Sequence, residues 1–425
     1  MQLLSSRRWR AAAATAAVLG LVLTGCSSED TFSYTPPEQA EATLPDETVA
    51  ALQGAVDNAI AASGASGAIV GVWVPWSGTW VAATGTQSKA DGGELSTDMS
   101  FRIGDVTRLM TCDVLYALVD EGTVELDATV PEYVSGVADM EDVTLLDLCN
   151  GTSGAGSSED TAKGAWQNTP ERVWAPLELA GYGLGRDRLA PHTTFRDSDA
   201  GYLLLGLALE RASGMSARQL IEEYVAEPLE LAETALPTPA AAPPADGPVL
   251  AGHYMNPVEG GFDCAAPVDI TTLSSSTGFT DSGVVSTITD LGRYIQAEAR
   301  QALRTKDEPN RFATPLPVEG APSWYQATGG AYLAGSMIGQ HGWTPGYATA
   351  AYSDPTTGFA VAVVLNDSTA GALFAQQLSW ELAAIASKAP AASGATAPEF
   401  GLPFTAEQYH AATAEAALPC IPPAE

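Results

Sequence analysis

Strand-like sequence occurs at two places far apart in this chain, with helical periodicity between them. GAIVGVWVP at 67–75 and GTWVAATG at 78–85 flank a Trp-Ser-Gly turn and predict a β-hairpin. PGYATAAYSDPTTGFAVAVVLN at 345–366 predicts a second hairpin around Asp354-Pro355. From Asp105 to about residue 235 the period is instead helical. Val106, Leu109, Met110, Leu115 and Leu118 mark a helix over 106–120, and 200–212 and 216–226 read the same way. Strands so separated predict one sheet built from both ends of a domain, with a helical region inserted and a cleft between the two parts. The expected fold class is α+β.

The remaining segments fit around that plan. A helix is predicted near 46–63, where Val49, Leu52, Val56 and Ile60 share one face, and a last helix near 372–387. Residues 237–250 are rich in Pro and Ala and read as a loop. Beyond Lys388 the chain is Ala- and Pro-rich and is expected to be irregular. With 425 residues, 46% of them hydrophobic, the chain can bury one large core or two smaller ones.

The amino terminus reads as a targeting segment. Arg7, Arg8 and Arg10 precede a short apolar run at 11–25, too short for a membrane span but suited to a secretory signal. The run ends in Leu23-Thr24-Gly25-Cys26, which resembles the lipobox of bacterial lipoproteins. That resemblance implies an acylated Cys26, a signal peptide over 1–25, a polar tether over 26–44 and a lipid-anchored position on the extracytoplasmic face. Removing residues 1–25 leaves 16 basic side chains against 51 acidic ones. Such a surface repels phosphate backbones and anionic headgroups, so nucleic acid is excluded as a partner and a bilayer is met through the lipid. Four further cysteines, Cys112, Cys149, Cys264 and Cys420, allow two disulfides in three pairings, and their spacing matches no zinc site.

Six ordered stretches resemble the serine β-lactamase and DD-peptidase superfamily, especially its class C-like branch, over residues 45–388. FRIGDVTRLM at 101–110 resembles F-R-I-G-S-V-T-K. EGTVELDATVPEYV at 121–134 and VTLLDLCNGTSG at 143–154 resemble E-G-K-L-D-L-D-D-P-V-x-x-Y-L and I-T-L-R-H-L-L-T-H-T-S-G. TTFRDSDAGYLLLG at 193–206 resembles T-x-F-x-Y-S-N-x-G-Y-x-L-L-G. GVVSTITDLGRYI at 283–295 and GQHGWTPGY at 339–347 complete the series. The resemblance implies a β-lactamase/transpeptidase-like fold: an α/β part over 45–104 and 290–388, a helical part over 105–289 and a tail over 389–425. It also implies the pairings Cys112–Cys149 and Cys264–Cys420, since Cys149 precedes a loop that in this family runs beside the nucleophile helix.

In that superfamily a serine attacks a carbonyl, a lysine one turn on takes its proton, and two backbone N–H groups hold the oxyanion. The mapped positions here carry other groups. The nucleophile position is Asp105 and the lysine position Arg108. Asp197 replaces the tyrosine, Ser198 is kept, and Asp199 replaces the asparagine. The third motif reads Gln340, His341, Gly342, with Trp343 supplying the second oxyanion N–H. A guanidinium keeps its proton to about pH 12 and cannot be the base. No intact catalytic set is therefore expected, and Asp105 reads as a helix cap paired with Arg108.

Asp105, Asp197 and Asp199 are expected to converge, with Arg108, a Ca²⁺ ion or a ligand amine as counter-charge; no cofactor is otherwise implied. The main expectation is a catalytically inactive binding protein for a cell-wall peptide or a protein partner. The alternative is a weak serine-type hydrolase or relocated carboxylate chemistry. Ser198 with His341 as a displaced triad, and Asp105 with Asp197 as an acid pair, are lesser options. His192, His253 and His410 read as surface or loop residues. Trp343 and Tyr347 read as core or cleft wall.

Overall fold

A computed structural model describes residues 34–90, 92–186 and 188–421. The signal segment, Cys26 and the first part of the tether lie outside the described residues. The hairpin strands β1 (Gly67–Val74) and β2 (Gly78–Gly85) form as the sequence predicts. They join β3 (Leu316–Pro317), β4 (Tyr325–Thr328), β5 (Ala331–Ala334), β6 (Met337–Thr344), β7 (Tyr347–Ser353) and β8 (Ala360–Leu365). The sheet order is β3-β4-β5-β6-β7-β8-β1-β2, with every neighbour antiparallel. The β1–β8 pairing, with Val70 opposite Val363, closes the two ends of the chain into one sheet.

The uninterrupted run Ala360–Leu365 is apolar because β8 is covered on both faces. Val361, Val363 and Leu365 enter one core with Ala68, Val70 and Val72 of β1. Ala360, Ala362 and Val364 enter the other with Ile69. Helix α1 (Asp46–Ser63) lies over the first face, and helix α2 (Thr107–Glu121) belongs to the second core. The remaining long helices are α3 (Glu159–Asn168), α4 (Asp199–Ser213), α5 (Ile288–Ala299) and α6 (Ala372–Ala386). Among the described residues no helix is long and apolar enough to cross a membrane.

Three expectations are corrected. The carboxyl-terminal tail is not irregular throughout: helix α7 spans Ala406–Glu415, capped by Thr405, whose hydroxyl accepts the Gln408 N–H at 3.2 Å. Its Ala-rich sequence hides the signal, since only Tyr409 and Thr413 of the helix are buried. The second half of the tether is docked rather than free: the Ala40 N–H donates to Pro75 O at 2.9 Å, and Leu44 is buried. His253 is buried in a two-residue strand, not exposed, and its backbone N–H donates to Asn366 O at 3.0 Å. The helical region also contains short two-stranded ribbons between 241 and 274 that no periodicity marks. The disulfides are Cys112–Cys149 and Cys264–Cys420. The second ties the tail to the inserted region.

Candidate functional site

The site forms where the head of α2 meets β6. A 3-10 turn, Gly104–Val106, leads into α2. Gly104 has φ 55°, and a Cβ there would lie 3.1 Å from the Trp343 backbone. A Cβ on Gly342 would fall 2.2 Å from Cγ of Asp105. Glycine at both positions lets the strand and the turn approach to backbone contact. Asp105 is 4% exposed and Arg108 3% exposed.

Asp105 does not cap α2. The N-cap residue is Val106 and no side chain caps the helix. One Asp105 oxygen lies 3.5 Å from Arg108 Nη2, and the other, Oδ1, is buried without a hydrogen-bond partner among the described residues. Arg108 is held more tightly elsewhere. Its Nη1 is 2.5 Å from Asp197 Oδ1 and its Nε 2.7 Å from Asp281 Oδ1. Its guanidinium also lies 4.9 Å from the Tyr202 ring centre. Charge-assisted bonds from both edges leave the guanidinium no freedom to act as anything but an anchor.

Asp199 is not an ion-pair partner of Arg108, although its charge helps to raise Asp281 and Glu159. It starts α4 and accepts the Ser158 N–H at 2.7 Å, with the Ser158 hydroxyl on its other oxygen. A carboxylate in the first turn complements the helix dipole. The carboxylates paired with Arg108 are Asp105, Asp197 and Asp281, with Glu159 close enough to raise Asp105. Sequence reasoning missed Asp281 and Glu159. Asp281 sits in a single helical turn, Phe279–Ser282, and Glu159 is the first residue of α3, neither marked by apolar periodicity; the signal was one mapped cation facing several acids.

Burial dominates the electrostatics. It pushes Asp105 well above the ordinary carboxylate range, against the pull of Arg108. Burial raises Asp281 to about 6. Burial and the Asp281 charge raise Glu159 to about 8. Arg108 would be lowered by its own burial, but Asp105, Asp197 and Asp281 outweigh this and raise it well above its already high value. Asp197 behaves oppositely from the other acids. Against the penalty of burial, the Arg108 charge and hydrogen bond hold it below its usual value. Its side chain is 54% exposed, so it forms the mouth of the site.

The third motif is mostly structural. Gln340 donates to Gly330 O at 2.8 Å and accepts the His341 N–H at 2.9 Å. His341 lies one residue out of phase with Gly342 and turns to Tyr352 Oη at 2.8 Å and Gln376 Nε2 at 3.2 Å. Burial lowers it to about 4, so it is neutral. The Ser198 hydroxyl donates to Gly156 O at 2.7 Å. Ser198 and His341 therefore do not assemble a triad. Tyr347 is core, its hydroxyl bonded to Leu250 O at 2.6 Å. Trp343 stands at the mouth: its Nε1–H donates to Glu159 Oε2 at 3.1 Å, and its ring lies 6.4 Å from that of Trp166. Among the described residues no group of three or more His, Cys, Asp or Glu is arranged to hold a metal. A hollow of about 510 Å³ beside Trp76 and Thr357 and an apolar one of about 380 Å³ beside Trp174 and Phe279 both lie away from Asp105 and Arg108.

Comparison with known proteins agrees with this architecture. D-alanyl-D-alanine-carboxypeptidase/endopeptidase AmpH of Escherichia coli (strain K12) is 30% identical over 206 residues, 47% of this chain and 49% of AmpH. Penicillin-binding protein 4 of Amycolatopsis lactamdurans is 31% identical over 156 residues, 35% of this chain and 39% of that protein. The chain thus matches about half the length of these relatives or less. In fold it resembles a D-stereospecific amidohydrolase from Streptomyces sp., with TM-score 0.67 and 22% identity over 79% of this chain and 99% of that one. It also resembles the octameric penicillin-binding protein homologue from Pyrococcus abyssi, with TM-score 0.65 and 20% identity over 80% and 76%. The Beta-lactamase family profile matches residues 52–384, most of the described domain, and the chain belongs to that family.

Proposed function

We propose that this protein is a lipid-anchored, extracytoplasmic member of its family that binds an amine-bearing cell-wall peptide without forming an acyl-enzyme. The observation that carries this reading is Arg108, locked between Asp197 at 2.5 Å and Asp281 at 2.7 Å, where the family chemistry needs a lysine that can lose its proton. Asp105 stands beside it where the family chemistry needs a serine hydroxyl. The exposed Asp197, which the Arg108 charge and hydrogen bond hold below its usual value, leaves a carboxylate at the surface of the site that suits a cationic ligand. The anchor rests on Leu23-Thr24-Gly25-Cys26. The peptide class rests on the relatives, one of which is named for a D-alanyl-D-alanine bond.

The purified protein is titrated with L-lysyl-D-alanyl-D-alanine while free D-alanine is assayed. Saturable binding without D-alanine release is expected; absence of binding, or steady release, overturns the reading. The second reading is a weak hydrolase, favoured by Gly104 and Gly342, which keep the strand and turn at the approach an oxyanion site needs. Under this second reading the natural protein releases D-alanine slowly, and joint replacement Asp105→Ser, Arg108→Lys, Asp197→Tyr, Asp199→Asn and Gln340→His is expected to raise that rate.

A further inference from the structure

Helix α3 lies at the mouth of the site and sends three side chains to Trp343. Glu159 accepts its indole N–H, Trp166 packs against its ring, and Lys163 places its ammonium 4.5 Å from the ring centre. The Lys163 contact is unusual for this protein. Acidic side chains outnumber basic ones 51 to 19, yet among the described residues Lys163 makes no ion pair within 4.0 Å. Its charge reaches the buried Asp367 only at longer range. Its defined partner is an aromatic face, the surface that recognises ammonium groups.

Trp343 and Lys163 are both half-buried, so the contact is open to solvent on one side. The carboxyl group of Glu159 stands at the edge of the same ring, and it is coupled in charge to Asp197 at the mouth and to Asp281 beneath. An ammonium over Trp343 would therefore meet a π-face and a carboxyl group together. The long lysine stem can swing out to water without breaking a hydrogen bond or an ion pair.

We propose that the face of Trp343 is the cation subsite of this cleft, that Lys163 fills it in the free protein, and that the ammonium of a peptide ligand displaces Lys163 from it. The inference rests on the reading of the cleft as an amine-binding site and goes further by naming the subsite and its resident competitor. Lys163 then sets affinity and selects ligands whose ammonium can reach the indole.

The test titrates the full chain with Nα-acetyl-L-lysyl-D-alanine and with its Nε-acetylated counterpart. Lys163→Ala is expected to tighten the charged peptide by about threefold, the size of one exposed cation–π contact. The acetylated peptide should be unaffected, and Lys163→Arg should restore the weaker, natural affinity. In Trp343→Leu the preference for the charged peptide should disappear. Thermal melting of each variant checks that α3 remains folded. If the natural protein prefers the charged peptide but Lys163→Ala leaves that affinity unchanged or weaker, this inference fails while the cleft reading stands. If the natural protein shows no preference for the charged peptide, the cleft reading fails and takes the subsite with it.

Discussion

At the scale of single residues, the site is governed by what Arg108 can and cannot do. Its guanidinium holds two carboxylates within 2.7 Å and lies over the Tyr202 ring. Replacing it removes the counter-charge from a buried acid group, which costs about 3–5 kcal/mol when one partner of a buried pair is lost. Arg108→Met is therefore expected to lower the melting temperature by several degrees at neutral pH, and calorimetry reads the loss. Part of that loss should return in Arg108→Met/Asp281→Asn, where the stranded charge is gone. Motif positions were legible in the sequence because residue types at fixed spacings survive even when their chemistry changes. The true partners of Arg108 were not. Asp105 looked like the cap and main partner from its i, i+3 spacing, but its contact is the longest of the three. Asp281 is 173 residues away in sequence, and only the fold brings it there.

At the scale of elements, α2 is held by two buried arginines. Arg108 fixes its head, and Arg311 fixes its middle through Asp113 at 2.6 Å and the Leu109 carbonyl at 3.0 Å. Long or strongly patterned elements were readable: the hairpin at 67–85, the two-sided strand at 360–365 and the helices at 46–63 and 372–386. Strands β3 to β5 span two to four residues each and turn at Gly329-Gly330, too short for an alternation to register. Helix α7 escaped because alanine carries little polarity contrast. It is docked by its own Tyr409 and by Phe404 just before its cap, whose rings lie 5.1 and 5.3 Å from that of Trp380. Phe404→Ala should cost about 3–5 kcal/mol, the usual loss for a buried aromatic truncation. Denaturant unfolding followed by tryptophan fluorescence checks it. An unchanged midpoint would mean that the carboxyl-terminal segment is only loosely attached.

At the scale of the whole molecule, the acid excess and the buried acids act together. Glu159 and Asp281 titrate in the folded protein at about 8 and about 6, above their unfolded values because of burial. The folded state therefore binds more protons than the unfolded chain between about pH 4 and about pH 8. This contribution is complete below the unfolded values and is lost as pH rises through the folded ones. Asp197 has the opposite sign, but it acts below the ordinary carboxylate range and outside this window. The melting temperature is thus expected to rise on acidification from about pH 8 to about pH 5, and the rise should shrink in Glu159→Gln/Asp281→Asn. The sequence already located the two-part plan, since distant strands had to share a sheet, but the docking of residues 34–44 and the tail depends on contacts no local pattern encodes. The central claim is that the cleft recognises ligands without bonding to them. Intact-protein mass spectrometry after exposure to excess benzylpenicillin tests it most directly: the account predicts an unchanged mass, and a penicilloyl adduct on any residue of the cleft would contradict it.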